Sequence, residues 1–187
     1  MAPSNSQIQD NVNIGNWTVS DVSDFDALVL DYTNISGGYL LTFDNCTFTG
    51  TTFACQIKSD GASPIQNITF NNCTFQDVNL GSSNKNYAYG LLIDNKLASA
   101  QGEVSGITVT DCSFNNIGAA TGAVGGGGIG SLGISIHELK ESSAGSANIT
   151  IKNNTFTNIY SGMPTMYNGV LNVGLLTPAV AIQLARE

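Results

Sequence analysis

The sequence predicts an all-β protein in which short strands stack on one another, coil by coil. Three observations predict this class: one short phrase recurs five times, a second family of apolar strands alternates with it, and turn-forming residues separate the two. Each phrase is too short to bury its apolar face alone, so it gains a core only by stacking on the next phrase. No segment predicts a helix of useful length.

The first strand family opens with alternating apolar residues, which indicates a strand with one buried face. An Asn or Asp then predicts a sharp bend, and Thr-Phe opens another short strand. The five copies are VNIGNWTV from Val12, LTFDNCTF from Leu41, ITFNNCTF from Ile68, ITVTDCSF from Ile107 and ITIKNNTF from Ile149.

The second strand family lies between these phrases. Its predicted members are ALVLDYT from Ala27, ACQIKSD from Ala54, GLLIDNK from Gly90, GISIHEL from Gly133 and GVLNVGL from Gly169. First-family phrases start 29, 27, 39 and 42 residues apart, so a coil of under 30 residues is the basic unit. The longer intervals carry insertions rich in turn formers, at 82–89, 95–106 and 119–131.

Length and composition bound the possible functions. With 187 residues, 42% of them apolar, the chain can build one core, and we assign 1–187 to a single domain with an N-terminal arm at 1–11 and coils at 12–185. Only 11% of residues are charged, with 14 acidic against 6 basic groups, so binding to nucleic acid through charge is not expected. No apolar run reaches the ~18 residues of a spanning helix, and 1–11 has no targeting features, so no membrane insertion is expected.

This organisation resembles the right-handed parallel β-helix of the pectin-lyase-like superfamily, where phrases such as I-x-x-N-C-T-F recur once per coil. The resemblance covers about residues 12 to 185. It implies a single-stranded right-handed parallel β-helix of about five coils with loop insertions. It carries over no catalytic residue, because the arginine and clustered aspartates of the lyases and the N-x-D, Asp-Asp, G-H-G and R-I-K motifs of the polygalacturonases have no counterpart here.

Stacking in register at the ~4.8 Å strand spacing would align equivalent residues in columns. We expect the apolar residues of each phrase, such as Phe43, Phe70 and Phe75, to point inward and form the core. The Asn or Asp at the bend tolerates left-handed backbone geometry and can hydrogen-bond locally. The predicted ladder of bend residues comprises Asn45, Asn72, Asp111 and Asn153, with the neighbouring Asn154.

Three of the four cysteines, Cys46, Cys73 and Cys112, belong to one column that ends at Asn154. The predicted spacing permits a disulfide between Cys46 and Cys73. We favour free, buried thiols that pack as small apolar groups, because Cys112 belongs to the same column and has no obvious partner. Cys55, in the second strand family, is predicted to be a lone core thiol.

One outward column of ionisable residues is the best candidate for chemistry. Alignment of the second strand family places Asp31, Lys58, Asp94 and His137 in this column, followed by Gly174. Asp31 and Asp94 would lie two strand spacings of ~4.8 Å apart, near the upper limit for the carboxylate pair of an inverting glycosidase. We favour the alternative that the column is a solvated surface with weak cross-strand pairs. An acidic-sugar lyase fits worse, because only Lys58 and His137 supply basic groups there.

Hydroxyl groups form a second outward pattern, on the first strand family. The members are Thr42, Thr69, Thr108 and Thr150, with Thr47, Thr74, Ser113 and Thr155 in the adjoining strand. Such an uncharged array can bind ice or a glycan, or it can be a neutral solvated sheet face, because Thr suits strands. Ice binding is disfavoured because the partners two residues further on are irregular: Asp44, Asn71, Thr110 and Lys152.

The sequence therefore predicts a non-enzymatic structural or binding module of an extracellular or virion surface assembly, of the spike, fibre or adhesin type. No metal and no cofactor are expected. The expected partners are copies of itself or neighbouring structural subunits, because the segment VLNVGLLTPAVAIQLARE stays apolar and has no capping helix. A neutral glycan is a further candidate partner. The alternatives are a carbohydrate-active enzyme, hydrolase or lyase, that uses Asp31 and Asp94, and a glycan- or ice-binding surface.

Overall fold

The structure is a computed structural model. It describes residues 11–15, 18–20, 28–31, 40–50, 53–59, 64–78, 87–95, 104–118, 130–137, 147–160, 166–167, 170–171 and 179–184. These residues form strands and turns and no helix, so they include no helix able to cross a membrane. The all-β prediction is confirmed.

Three parallel sheets of five strands each form the body of the protein, and successive strands along the chain join the three sheets in turn. Sheet A comprises β1 (Asn11–Gly15), β4 (Leu40–Asp44), β7 (Ile65–Asn71), β10 (Val104–Thr110) and β13 (Thr150–Lys152). Sheet B comprises β2 (Thr18–Ser20), β5 (Thr47–Thr49), β8 (Thr74–Val78), β11 (Ser113–Ile117) and β14 (Thr155–Ile159). Sheet C comprises β3 (Leu28–Asp31), β6 (Phe53–Ser59), β9 (Tyr87–Asn95), β12 (Gly130–Ile136) and β17 (Ala179–Leu184). Parallel strands stacked in this order are compatible with a β-helix fold.

The repeated phrases pair in the register that their alignment predicts. In sheet B, Phe48, Phe75, Phe114 and Phe156 are partners on adjacent strands. Their rings stack with centroids 5.1, 4.7 and 4.9 Å apart. The first three rings are fully buried, whereas Phe156, on the last strand of the sheet, is half-buried. The prediction that these aromatic residues point inward is confirmed.

Inward side chains of all three sheets meet in one core. Strand alternation places them, because every second residue of a strand faces the same side. The largest fully buried side chains are Phe43, Phe48, Phe70, Phe75, Phe114, Ile57, Ile65, Ile68, Leu91, Ile93 and Ile107.

Two glycines let sheet C approach the stacked phenylalanines. A Cβ atom on Gly90 would lie 2.8 Å from Cδ1 of Phe114 and 2.6 Å from the carbonyl oxygen of Gly133. A Cβ atom on Gly133 would lie 2.6 Å from Cδ1 of Phe156. Because real Cβ atoms do not come this close to other atoms, packing requires glycine at both positions, which lie inside β9 and β12.

The fifth strand of sheet C corrects one prediction. The sequence alignment predicts this strand in GVLNVGL from Gly169, whereas the strand beside β12 is β17. The apolar residues Val180, Ile182 and Leu184 of β17 are the strand partners of Leu132, Ile134 and Ile136 of β12. Within the predicted segment, β16 (Val170–Leu171) pairs antiparallel with β15 (Met166–Tyr167). The two intervening residues are Asn-Gly, a sequence that strongly favours a tight hairpin. Gly174, predicted to end the ionisable column, lies outside the described residues.

Candidate functional site

The four ionisable residues of the second strand family lie in one column of sheet C. Asp31 is the strand partner of Lys58, and Lys58 is the partner of Asp94. The backbone N–H of His137 donates to the carbonyl oxygen of Ile93 at 2.9 Å, which places His137 beside Asp94. The side chain of Asp31 lies outside the described part of the protein.

One residue of this column is less solvated than the sequence predicts. Asp94 is only 9% exposed, and the outward residues Leu92 and Ser135 of the adjacent column are buried as well. Lys58 and His137 are half-buried. Strand alternation identifies the core face of a sheet, but it does not reveal burial of the opposite face. The prediction of a solvated column is therefore wrong at Asp94.

Ser135 and His137 form a hydrogen-bonded pair on the outward side of sheet C. Oγ of Ser135 lies 2.8 Å from Nε2 of His137, and it donates to Oε1 of Gln183 at 3.1 Å. Which of the two groups donates in the Ser135–His137 contact depends on the tautomer of His137. A serine nucleophile needs an imidazole that accepts the hydroxyl proton and also needs access to its substrate. Because Ser135 is fully buried, we treat the pair as a structural contact.

The two candidate catalytic carboxylates are separated by a lysine. Asp31 and Asp94 lie two strand steps apart with Lys58 between them, which corresponds to about 10 Å at the ~4.8 Å strand spacing. Inverting glycosidases use a similar separation, but the space between the carboxyl groups must hold water and substrate. The position of Lys58 within this interval and the burial of Asp94 both work against such a use.

The bend residues have left-handed backbones. Asn45, Asn72, Asp111 and Asn153 have φ values of 54°, 52°, 55° and 56°, a region that Asn and Asp enter more readily than other non-Gly residues. Two further sets with positive φ lie five residues before and five residues after the last three of these bends. Their members are Asn67, Gly106 and Asn148 before the bend, and Asp77, Asn116 and Asn158 after it.

These two additional sets of corners were not predicted. We call one passage of the chain through sheets A and B a level. The signal at three levels is a five-residue spacing of Asn, Asp or Gly, for example at Asn67, Asn72 and Asp77. These three levels therefore turn at regular intervals, because a residue that tolerates positive φ occurs at every fifth position.

Side-chain amides join the corners of adjacent levels. Nδ2 of Asn72 donates to Oδ1 of Asn45 at 3.2 Å, and Nδ2 of Asn153 donates to Oδ1 of Asp111 at 3.1 Å. The set after the bends repeats the pattern, with Asn116 donating to Asp77 and Asn158 donating to Asn116, both at 2.9 Å. An Asn amide can donate and accept at once, so it suits a ladder in which each level bonds to the next.

The cysteine column is buried. Cys46, Cys73 and Cys112 are at most 2% exposed and are free thiols. Each thiol lies within hydrogen-bond distance of the carbonyl oxygen two residues earlier, at 3.4, 3.3 and 3.1 Å. The structure therefore has the free thiols that we favoured and no Cys46–Cys73 disulfide. Cys55 is likewise a buried free thiol in the core.

The thiols are poorly suited to nucleophilic chemistry. Burial raises the pKa of Cys55. The pKa of Cys73 is raised first by its side-chain hydrogen bond with Cys112 and then by burial. The same hydrogen bond lowers the pKa of Cys112, but Cys112 is 2% exposed, and a reactive cysteine needs access to its substrate as well as a thiolate.

The outward face of sheet B is uncharged along two columns of described residues. We call it the hydroxyl face. Its first column is Thr18, Thr47, Thr74, Ser113 and Thr155, and its second column is Thr49, Gln76, Asn115 and Thr157. These side chains are all half-buried or exposed and uncharged. Oγ of Ser113 donates to Oγ1 of Thr74 at 3.2 Å, which connects two neighbouring levels.

The outward face of sheet A is different because it carries charge. One of its columns contains Asp44, Asn71, Thr110 and Lys152. Nδ2 of Asn71 donates to Oδ1 of Asp44 at 2.7 Å, and Oγ1 of Thr110 donates to Oδ1 of Asn71 at 3.3 Å. Asp44, Asn71 and Thr110 thus bond to one another along the column, so fewer of their groups remain available to a ligand.

No three His, Cys, Asp or Glu side chains come together as a possible metal site in the parts of the chain that the structure describes. No protein-family model, curated protein or solved structure matches this chain. The functional argument therefore depends on the surfaces described above.

Proposed function

We propose that the chain is a right-handed parallel β-helix of about five coils, similar to the pectin-lyase-like superfamily, and that it is a non-enzymatic binding module of an extracellular or virion surface assembly. The three sheets of five parallel strands support this architecture. The phrase register supports it too, because equivalent residues of successive repeats are strand partners.

The hydroxyl face is the observation that carries the binding role. Its Thr, Ser, Asn and Gln side chains can each donate and accept hydrogen bonds, as the hydroxyl groups of a sugar can. Threonine is β-branched and stiff at χ1, so a ligand that binds Thr47, Thr74 and Thr155 has little side-chain motion to arrest. A linear neutral polysaccharide presents the same hydroxyl groups at every unit and can therefore contact several strands of sheet B.

We favour a glycan over ice as the ligand of this face. A regular ice surface is matched by one repeated side chain, whereas the second column changes from Thr49 to Gln76 and Asn115. The amides of Gln and Asn have separate donor and acceptor groups, which suits the varied hydroxyl orientations of a sugar.

The test is retention of the purified chain on insoluble neutral polysaccharides such as cellulose, chitin and a β-1,3-glucan. The double variant Thr74→Glu with Ser113→Glu places charge at the centre of the hydroxyl face. The matched control is Gln66→Glu with Ser105→Glu, which changes half-buried residues of sheet A that lie outside the hydroxyl pattern and are partners on adjacent strands. Both variants are checked for folding by circular dichroism before use.

We expect the chain to bind at least one of these polymers, and we expect the hydroxyl-face variant to bind about tenfold more weakly, as for the loss of ~1.4 kcal/mol. The sheet A variant should bind like the unchanged chain. Absence of binding to every polymer, or equal loss in both folded variants, would contradict the proposal. Inhibition of ice recrystallisation without polysaccharide binding would identify ice as the ligand and also contradict it.

A further inference from the structure

The last strand of sheet C exposes two large apolar residues at one end of the stack. Ile182 is 40% exposed and Leu184 is 49% exposed. They are the strand partners of Ile134 and Ile136, which are fully buried in the core. The exposure therefore comes from the position of β17, which has a sheet neighbour on one side only among the described strands.

The first strand of sheet C occupies the same columns at the opposite end. Leu28 begins a column that continues through Cys55, Leu91 and Ile134 to Ile182. Leu30 begins the next one, which continues through Ile57, Ile93 and Ile136 to Leu184. A second copy placed on the exposed end, one strand step further, would thus bring Leu28 over Ile182 and Leu30 over Leu184.

The other two sheets match in the same way. Ile14 shares a column with Ile151 in sheet A, and Val19 shares a column with Phe156 in sheet B. Ile151 and Phe156 are only half-buried at the exposed end. If a second copy is shifted along the stack by one strand step beyond the exposed end, the last strand of each sheet gains a parallel strand of that copy as its neighbour. Edge strands readily add such a neighbour.

We infer that copies of this chain stack head to tail, with β1, β2 and β3 of one copy paired to β13, β14 and β17 of the next. The inference rests on the β-helix architecture proposed above, because the three sheets must surround one core for their edges to meet together. The interface is heterologous, so its association can continue beyond a dimer. Each copy carries a formal charge of −8, so repulsion opposes stacking and added salt should strengthen it.

The test is the mass in solution, measured by sedimentation equilibrium over a dilution series at low and high salt. The variant Leu184→Lys adds a charge at the exposed end. The matched control is Leu40→Lys, because Leu40 is 51% exposed and lies on β4, which is paired on both sides. Thermal melts establish that both variants fold.

We expect the unchanged chain and Leu40→Lys to rise above the 19.5 kDa monomer mass as concentration and salt increase. Leu184→Lys should remain a monomer over the same range. A monomer at every concentration, a mass that stops at the dimer, or association of Leu184→Lys equal to that of the unchanged chain would overturn head-to-tail stacking. None of these results depends on polysaccharide binding, so the two proposals can fail separately.

A cross-linking experiment gives a second readout. Chains carrying Leu30→Cys are mixed with chains carrying Leu184→Cys, and oxidised glutathione supplies the oxidant for a disulfide between the new thiols. Head-to-tail stacking predicts a covalent dimer in the mixture, which either variant alone should not form. A dimer that forms equally in Leu184→Cys alone would contradict this direction of stacking.

Discussion

The side chain of Asn154 occupies the place in the cysteine column where a further thiol would otherwise lie. Its Oδ1 accepts a hydrogen bond from the backbone N–H of Cys112 at 2.9 Å. One level earlier, Sγ of Cys112 accepts from the backbone N–H of Cys73 at 3.3 Å. Nδ2 of Asn154 also donates to the carbonyl oxygen of Val109 at 2.8 Å. Sγ of Cys112 also donates to the carbonyl oxygen of Phe70 at 3.7 Å, so the amide replaces two weak sulfur contacts with two shorter hydrogen bonds at the last level.

Replacement of Asn154 by alanine should therefore destabilise the protein. Asn154→Ala leaves the Cys112 N–H and the Val109 carbonyl without this partner, and each orphaned group costs about 1–3 kcal/mol if water does not replace the bond. Asn154→Cys restores the residue of the preceding levels and should lose less free energy of unfolding than Asn154→Ala. Urea unfolding of the two variants gives the comparison, and equal losses would show that these bonds contribute little.

Replacement of a stacked phenylalanine tests the core. Phe75 is fully buried between Phe48 and Phe114. Phe75→Ala should lower the free energy of unfolding by about 3–5 kcal/mol, the range for a large core side chain that leaves a cavity. The neighbouring Thr74→Ala, on the outward face, should cost only about 0.5–1 kcal/mol. Similar losses at both positions in denaturant melts would overturn the inward and outward assignment.

Replacing either of two buried serines by alanine should change the free energy of unfolding, but in opposite directions. Oγ of Ser131 has no hydrogen-bond partner among the residues that the structure describes, although Ser131 is fully buried. Ser131→Ala removes an unsatisfied hydroxyl and should raise the free energy of unfolding by about 1 kcal/mol. Ser135→Ala removes the partner of His137 and Gln183 and should lower it by about 1–3 kcal/mol. Thermal melts at one pH compare the two variants, and a loss of stability in Ser131→Ala would contradict the account.

The strands and their register could be predicted because the repeat is local in the sequence. Alternation within each phrase separates inward Phe70 from outward Thr69, and equivalent positions of successive phrases become strand partners. The additional corners at Asn67 and Asp77 were predictable from their five-residue spacing but were missed. The fifth strand of sheet C was misplaced because two apolar segments, 169–175 and 179–184, follow the last phrase. The Asn-Gly hairpin signal at the start of the first segment was overlooked.

The environment of the ionisable column could not be predicted in the same way. The alignment correctly brings Lys58 next to Asp94, because register depends on the repeat. Burial of Asp94 depends on contacts that lie on the side of the sheet away from the core. Alternation contains no information about such contacts, so the sequence suggested a solvated face where the structure has a carboxyl group that is 9% exposed.

The most direct test of the account measures binding and cleavage in one experiment. The chain is incubated with the neutral polysaccharides named above, and both the retained protein and the newly formed reducing ends are determined, alongside Asp31→Asn and Asp94→Asn. The account predicts retention on at least one polymer, no reducing ends above the protein-free control, and unchanged retention in both variants. Release of reducing ends by the unchanged chain that disappears in both variants would show that Asp31 and Asp94 are catalytic and would contradict the proposed non-enzymatic function.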